Sequence, residues 1–126
     1  MPTTAVVADD RAISRRVMRD LLENEGFEVA THASTIAAEA DVERRAIDLV
    51  VTDIVLPERD GIELIRSLAR RQNRPILAAY SRGDSDYVDA ARLLGADIAV
   101  DLNHTEGRHH LVQFVRAAAR NVRENG

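Results

Sequence analysis

Three carboxylates at the ends of two short apolar runs carry the chemistry open to this chain. Thr4 to Ala8 is stopped by Asp9 and Asp10, and Ile47 to Thr52 is stopped by Asp53. Taken singly, each is equally well a solvated aspartate at a strand end. Brought together, their like charges would raise one another's pKa unless a cation stood between them. Mg2+ answers that need, because it prefers oxygen ligands and is commonly held by one or two carboxylates, waters and phosphate oxygens. The reading is a Mg2+ site built to receive a phosphoryl group.

Those carboxylates meet only if the runs lie side by side. Leu49 to Val51 is the core of a strand buried on both faces. After it come Pro57 and then Asp60-Gly61, with Glu63 three residues beyond Asp60, the spacing of a capping box opening a helix. Ile13, Val17, Met18, Leu21 and Leu22 recur at helical spacing over residues 11–25, and Gly26 closes that helix. Phe27 to Ala30 is a strand and Thr35 to Arg45 a weaker helix. Ile62, Ile65, Leu68 and Ala69 stripe the next helix. Pro75 opens a strand through Ala79, and Ser81 to Asp86 is a polar loop. Val88, Ala91 and Leu94 line a helix ended by Gly95, and Ile98 to Val100 is a fifth strand. Asn103 to Gly107 is a loop, and Leu111, Phe114, Val115, Ala118 and Val122 stripe the last helix. Five strands alternating with five helices predict an α/β fold, a doubly wound parallel sheet of order 2-1-3-4-5 in one domain over residues 1–126. In that order strands one and three adjoin at the switch point, where ligands bind.

Composition bounds the function. The 126 residues suit a single domain, and 45% hydrophobic content suits a folded core. A net charge of −4 disfavours direct nucleic-acid binding. The absence of cysteine excludes disulfides and thiolate metal sites. No apolar run reaches the length of a membrane span, and the first ten residues lack a signal-peptide layout, so a cytoplasmic location is expected. All 17 basic residues are arginine, which reads as codon bias.

At this point the chain resembles the receiver domain of bacterial two-component response regulators, a flavodoxin-like (βα)5 fold. The resemblance is carried by Asp9-Asp10, by Asp53-Ile54-Val55-Leu56-Pro57-Glu58-Arg59-Asp60-Gly61, by Pro75-Ile76-Leu77 and by Gly95-Ala96-Asp97. It implies that Asp53 accepts a phosphoryl group from a histidine kinase or phosphotransfer protein. It implies that Asp10, Asp53 and the backbone carbonyl of Val55 hold Mg2+, with Asp9 acting through water. Such a domain promotes its own modification and is not an enzyme acting on an outside substrate. Phosphoryl transfer passes through a loose transition state, so positioning and charge stabilisation do most of the work.

The second half of the pattern departs from the family. The family's switch Ser or Thr, five residues after the proline, falls on Tyr80 here, with Ser81 beside it. Alternation turns neighbours on a strand to opposite faces, so Ser81 could serve only if the strand end bulged. Tyr80 keeps a hydroxyl, but further out on a rigid ring. The family's lysine, seven residues after the glycine, falls on Leu102, and codon bias would have supplied arginine instead. A charge-assisted hydrogen bond worth about 1.5–3 kcal/mol is thereby missing. Ala99 stands where strand five usually carries an aromatic. Arg82 is a candidate substitute cation, against the ordinary reading of a solvated loop arginine. The metal half is complete and the switching half is degenerate.

His104, His109 and His110 cluster near the last helix but read as a polar helix start, since adjacent histidines point apart on a helix. Arg116, Arg120 and Arg123 share one face there, either solvated or part of a homodimer surface through the last helices. The alternative function is a pseudo-receiver, a phosphorylation-independent binding or dimerisation module. A flavin or nucleotide binder would want a Gly-, Ser- or Thr-rich loop where Asp9-Asp10-Arg11 stands.

Overall fold

The computed structural model describes residues 3–56, 60–83 and 85–125, so Pro57 of the aspartate motif lies outside the described residues. In chain order the elements are β1 (Thr3–Ala8), α1 (Ala12–Asn24), β2 (Phe27–His32), α2 (Thr35–Arg44) and β3 (Leu49–Asp53). They continue with α3 (Gly61–Ala69), β4 (Ile76–Ser81), α4 (Ser85–Leu93), β5 (Ile98–Asp101) and α5 (Thr105–Asn125). The strands form one parallel sheet in the order β2-β1-β3-β4-β5. This is the order that brings the ends of β1 and β3 together.

Period-two alternation splits the strand residues between two cores. Ala5 and Val7, Leu49 and Val51, and Ala78 and Tyr80 face Met18 and Leu22 of α1 and Leu111 and Val115 of α5. Val6 and Ala8, Val50, and Leu77 and Ala79 face α2, α3 and α4 through Ala38, Leu64, Ile65, Leu68 and Val88. With both faces covered, β3 is buried along its whole length.

Helix starts follow local chemistry. The Asp60 carboxylate accepts from the Glu63 amide at 3.1 Å, as the capping-box spacing predicts. Ser34, which the sequence reading passed over, caps α2 through the Ala37 amide at 3.1 Å.

Three expectations change. The buried line of α1 is Ser14, Met18 and Leu22, while Ile13 and Val17 are 83% and 57% exposed. Those two sit one position before Ser14 and Met18, on the flank of the face that meets the sheet. β4 runs on through Ser81, shortening the polar loop. Gly107 lies within α5 instead of closing a loop. A Cβ there would stand 2.1 Å from the Asp101 carbonyl oxygen, so glycine serves close approach of the helix to β5.

Candidate functional site

The alternation that sorts the core also assembles the site. Asp9 continues the parity of Ala5 and Val7, and Asp53 shares that of Leu49 and Val51, both on the α1–α5 side; Arg82, just past the end of β4, reaches the same side through its bond to Ser14 on α1. In the sheet, β3 and β4 place Asp53 beside Tyr80. Carboxylate oxygens of Asp9, Asp10 and Asp53 converge to within 4.8 Å of one another. Asp9 and Asp53 are buried, and Asp10 is exposed. The start of α3 closes in from the other side: the Gly61 amide donates to the Ile54 carbonyl at 2.7 Å. A Cβ on Gly61 would lie 2.2 Å from the Asp53 carbonyl oxygen, which is why the motif has glycine there.

Asp9 has both carboxylate oxygens occupied. Oδ1 accepts from the Arg11 amide at 2.9 Å, and Oδ2 accepts from the Tyr80 hydroxyl. It is thus oriented by the protein, in keeping with an indirect hold on a metal. Asp53 Oδ1 accepts from the Val55 amide at 3.2 Å. Burial, reinforced by the charge of Asp9, pushes the Asp53 carboxyl up to about 6. The Val55 amide, Arg82 and Arg11 pull the other way and do not cancel it. An all-oxygen set with a buried carboxylate so raised is one that a hard divalent cation would fit.

In the degenerate half, the open choice between Tyr80 and Ser81 falls to Tyr80 in geometry. Tyr80, not Ser81, faces the carboxylates. Its ring is fully buried, and burial together with the Asp9 charge holds the phenol far above its usual range, so it acts as a donor. Ser81 is buried as well, but alternation turns its side chain to the other face of β4, while its backbone carbonyl accepts from the Leu102 amide at 2.8 Å at the end of the β4–β5 ladder. Leu102 belongs to the same apolar core as Tyr80 and Val100. Arg82 is not simply solvated: Nη1 lies 3.9 Å from Asp53 Oδ2, Nη2 donates to Ser14 Oγ at 2.5 Å, and the guanidinium sits 5.6 Å from the Tyr80 ring centre. Ser14 was missed in the sequence. Its only signal was a hydroxyl four residues before Met18 on the buried side of α1.

The histidines form no metal group. Among the described residues, Asp9, Asp10 and Asp53 are the one set of three or more candidate ligands that converge. His104 lies 3.5 Å from Asp101, and His109 and His110 are exposed. On α5, Arg116 pairs with the Glu25 carboxylate at 3.2 Å and Arg123 donates to the Glu25 carbonyl at 3.0 Å, tying the helix to the end of α1. A third buried carboxylate, Asp41, was also missed. It accepts from Arg45 Nε at 2.7 Å and lies 2.9 Å from His32 Nε2. The Arg45 hydrogen bond, opposed by burial and helped by His32, holds its carboxyl well below the usual range. The four-residue spacing of Asp41 and Arg45 was the available signal.

The profile of the response regulator receiver domain matches residues 5–115, and the chain belongs to that family. The phosphate regulon transcriptional regulatory protein PhoB of Rhizobium meliloti (strain 1021) is 38% identical over 100 residues, covering 77% of this chain and 44% of that protein. The regulatory protein VanRc of Enterococcus gallinarum is 31% identical over 101 residues, covering 80% of this chain and 42% of the relative. The chain therefore spans less than half the length of these curated relatives. A CheY-like response regulator receiver domain protein from Methanospirillum hungatei JF-1 superimposes with a TM-score of 0.83 over 100% of both chains at 19% identity, a likeness of fold. Among the described residues no helix is long and apolar enough to cross a membrane.

Proposed function

We propose that this domain is a phosphoacceptor in a two-component phosphorelay, taking the phosphoryl group on Asp53 from a histidine kinase or phosphotransfer protein. The observation that carries this reading is the meeting of Asp9, Asp10 and Asp53 within 4.8 Å at the carboxyl edge of the sheet. An Asp53 carboxylate oxygen attacks phosphorus and the P–N bond of phosphohistidine breaks. The electron pair returns to the imidazole, leaving an acyl phosphate on Asp53. Mg2+, held by Asp10, Asp53 and the Val55 carbonyl with Asp9 through water, would neutralise the transferring oxygens. The chain's own contribution is placement: Asp9 braced by Arg11 and Tyr80, and Asp53 by Val55. The domain then acts through protein contacts in the cytoplasm, without touching nucleic acid itself. Self-association through the last helices belongs to the same reading, and sedimentation with and without phosphorylation measures it.

The test is mass spectrometry after incubation with acetyl phosphate and Mg2+. One phosphoryl group is expected on the parent protein, none on Asp53→Asn, and undiminished labelling on Asp60→Asn. Equal labelling of Asp53→Asn and the parent would remove Asp53 from the role.

A second reading, the phosphorylation-independent binding or dimerisation module, draws on the β4–β5 half. Tyr80 is buried and bonded to Asp9, and Leu102 is part of the core. An unlabelled parent protein that still bound Mg2+ would favour it.

A further inference from the structure

We infer that Arg82 is the phosphoryl-binding cation of this domain, and that it relays phosphorylation to α1 instead of α5. This rests on Asp53 being the phosphoacceptor. Arg82 directly follows β4 and its guanidinium carbon lies over the Tyr80 ring, 5.6 Å from its centre, while Tyr80 lies beside Asp53 in the sheet. Asp53 Oδ1 is held by the Val55 amide. Oδ2 faces Arg82 Nη1 across 3.9 Å, too far for a hydrogen bond. A phosphoryl group on that oxygen carries its own oxygens outward from the carboxylate carbon, towards the guanidinium, and closes the gap. The planar fork can then take two of them at once.

The neighbouring cations are placed differently. Arg15 is committed to the Asp9 backbone carbonyl at 2.8 Å, and Arg11 is exposed. Leu102, at the end of β5, has no donor to offer and is packed into the core. Arg82 is also pre-arranged, with one edge on Ser14 Oγ and its guanidinium carbon over the Tyr80 ring. Those contacts hold the guanidinium beside Asp53 before the phosphoryl group arrives.

The same contacts set the direction of the signal. Arg82 cannot turn its fork fully onto a phosphoryl group and keep the Ser14 bond unchanged. Ser14 lies in the first turn of α1, next to the exposed Ile13 and Val17. Phosphorylation therefore alters the start of α1 and the segment from Tyr80 to Val88. With Leu102 just past its end, β5 offers no cation through which a phosphoryl group could pull on α5.

Beryllofluoride with Mg2+ is the probe, titrated by amide NMR into the parent protein, Arg82→Ala, Arg82→Lys and Arg82→Ala/Leu102→Lys. The parent should show its largest shifts at residues 12–17 and 80–88, and small ones at 111–122. Arg82→Ala should bind beryllofluoride roughly 10- to 150-fold more weakly, the loss of one charge-assisted contact. Its shifts at residues 12–17 should vanish. Mg2+ alone should bind Arg82→Ala as tightly as the parent or more tightly, since a positive charge near Asp53 is gone. A merely structural role for Arg82 would weaken both ligands together, and that result overturns the proposal. Arg82→Lys, which keeps the charge but not the fork, should bind more tightly than Arg82→Ala but more weakly than the parent. The double variant should regain affinity but shift the response towards α5. Arg82→Ala binding within about twofold of the parent overturns the proposal while leaving Asp53 as acceptor. A parent protein that binds Mg2+ but neither beryllofluoride nor phosphate overturns both readings.

Discussion

Asp41 and Asp53 are each 4% exposed, with Asp53 the more deeply packed, and their carboxyls are displaced in opposite directions. Asp41 is surrounded by Arg45, Arg44 and His32, on α2 and the neighbouring β2. Asp53 has Asp9 beside it, one backbone amide, and a guanidinium at a distance that gives little relief. Burial weakens a charge unless partners replace the lost water. Asp41 has its partners within the fold and is finished as a structural element. Asp53 lacks them, and the fold bears the cost of an under-partnered buried carboxylate; on the proposed reading a cation and a phosphoryl group would supply the missing partners.

The sharpest way to break this contrast is to neutralise each aspartate in turn. Asp41→Asn should lose about 2–3 kcal/mol, because Arg45 and His32 lose their anion. The folded carboxyl of Asp41 titrates below the unfolded one. Its contribution is therefore full above the unfolded value near pH 4 and drains away as pH falls further. Urea unfolding from pH 7 down to pH 3 should show a decline in the parent that flattens in Asp41→Asn.

Asp53→Asn should move the other way, gaining about 2 kcal/mol at pH 7 with a chelator present. Here the folded carboxyl titrates above the unfolded one, so the native state binds the extra proton between about pH 4 and 6. The parent loses stability as pH rises through that window, and the difference from Asp53→Asn should disappear by pH 4. A destabilised Asp53→Asn would mean that Asp53, like Asp41, is a satisfied structural group.

Smaller effects sharpen the picture. Tyr80→Phe should cost about 1.5 kcal/mol by taking a donor from a buried carboxylate. A double-mutant cycle with Asp9→Asn should show the two losses to be non-additive. Mg2+ at ten times its dissociation constant should stabilise the parent by about 1.4 kcal/mol, with a much reduced effect on Asp53→Asn. Calorimetric melting with and without the ion measures it.

The two halves of the site were not equally legible. Asp9, Asp10, Asp53, Asp60 and Gly61 could be read directly because each is set by its place at a strand end or helix start. Tyr80 against Ser81 hung on whether β4 stays extended to its end, and it does so through Ser81. Ile13 and Val17 misled because period alone cannot say which edge of a wide stripe meets the sheet, and Ser14, a polar residue, lies on the line that does. Asp41 was hidden because its partners come from two elements, including His32 on β2.

What the sequence by itself determined was the alternation of strands and helices, the strand order and the three acidic groups at one edge. These follow from local periodicity, from capping, and from the way a parallel sheet buries both faces. Tertiary structure decided how the remaining groups answer the missing lysine. It put the Tyr80 hydroxyl on Asp9, Leu102 into the core and Arg82 between Asp53 and Ser14. A long side chain's destination depends on the three-dimensional space and charges around it, which here come from β1, β3, β4 and α1 together. No spacing along one chain segment encodes that.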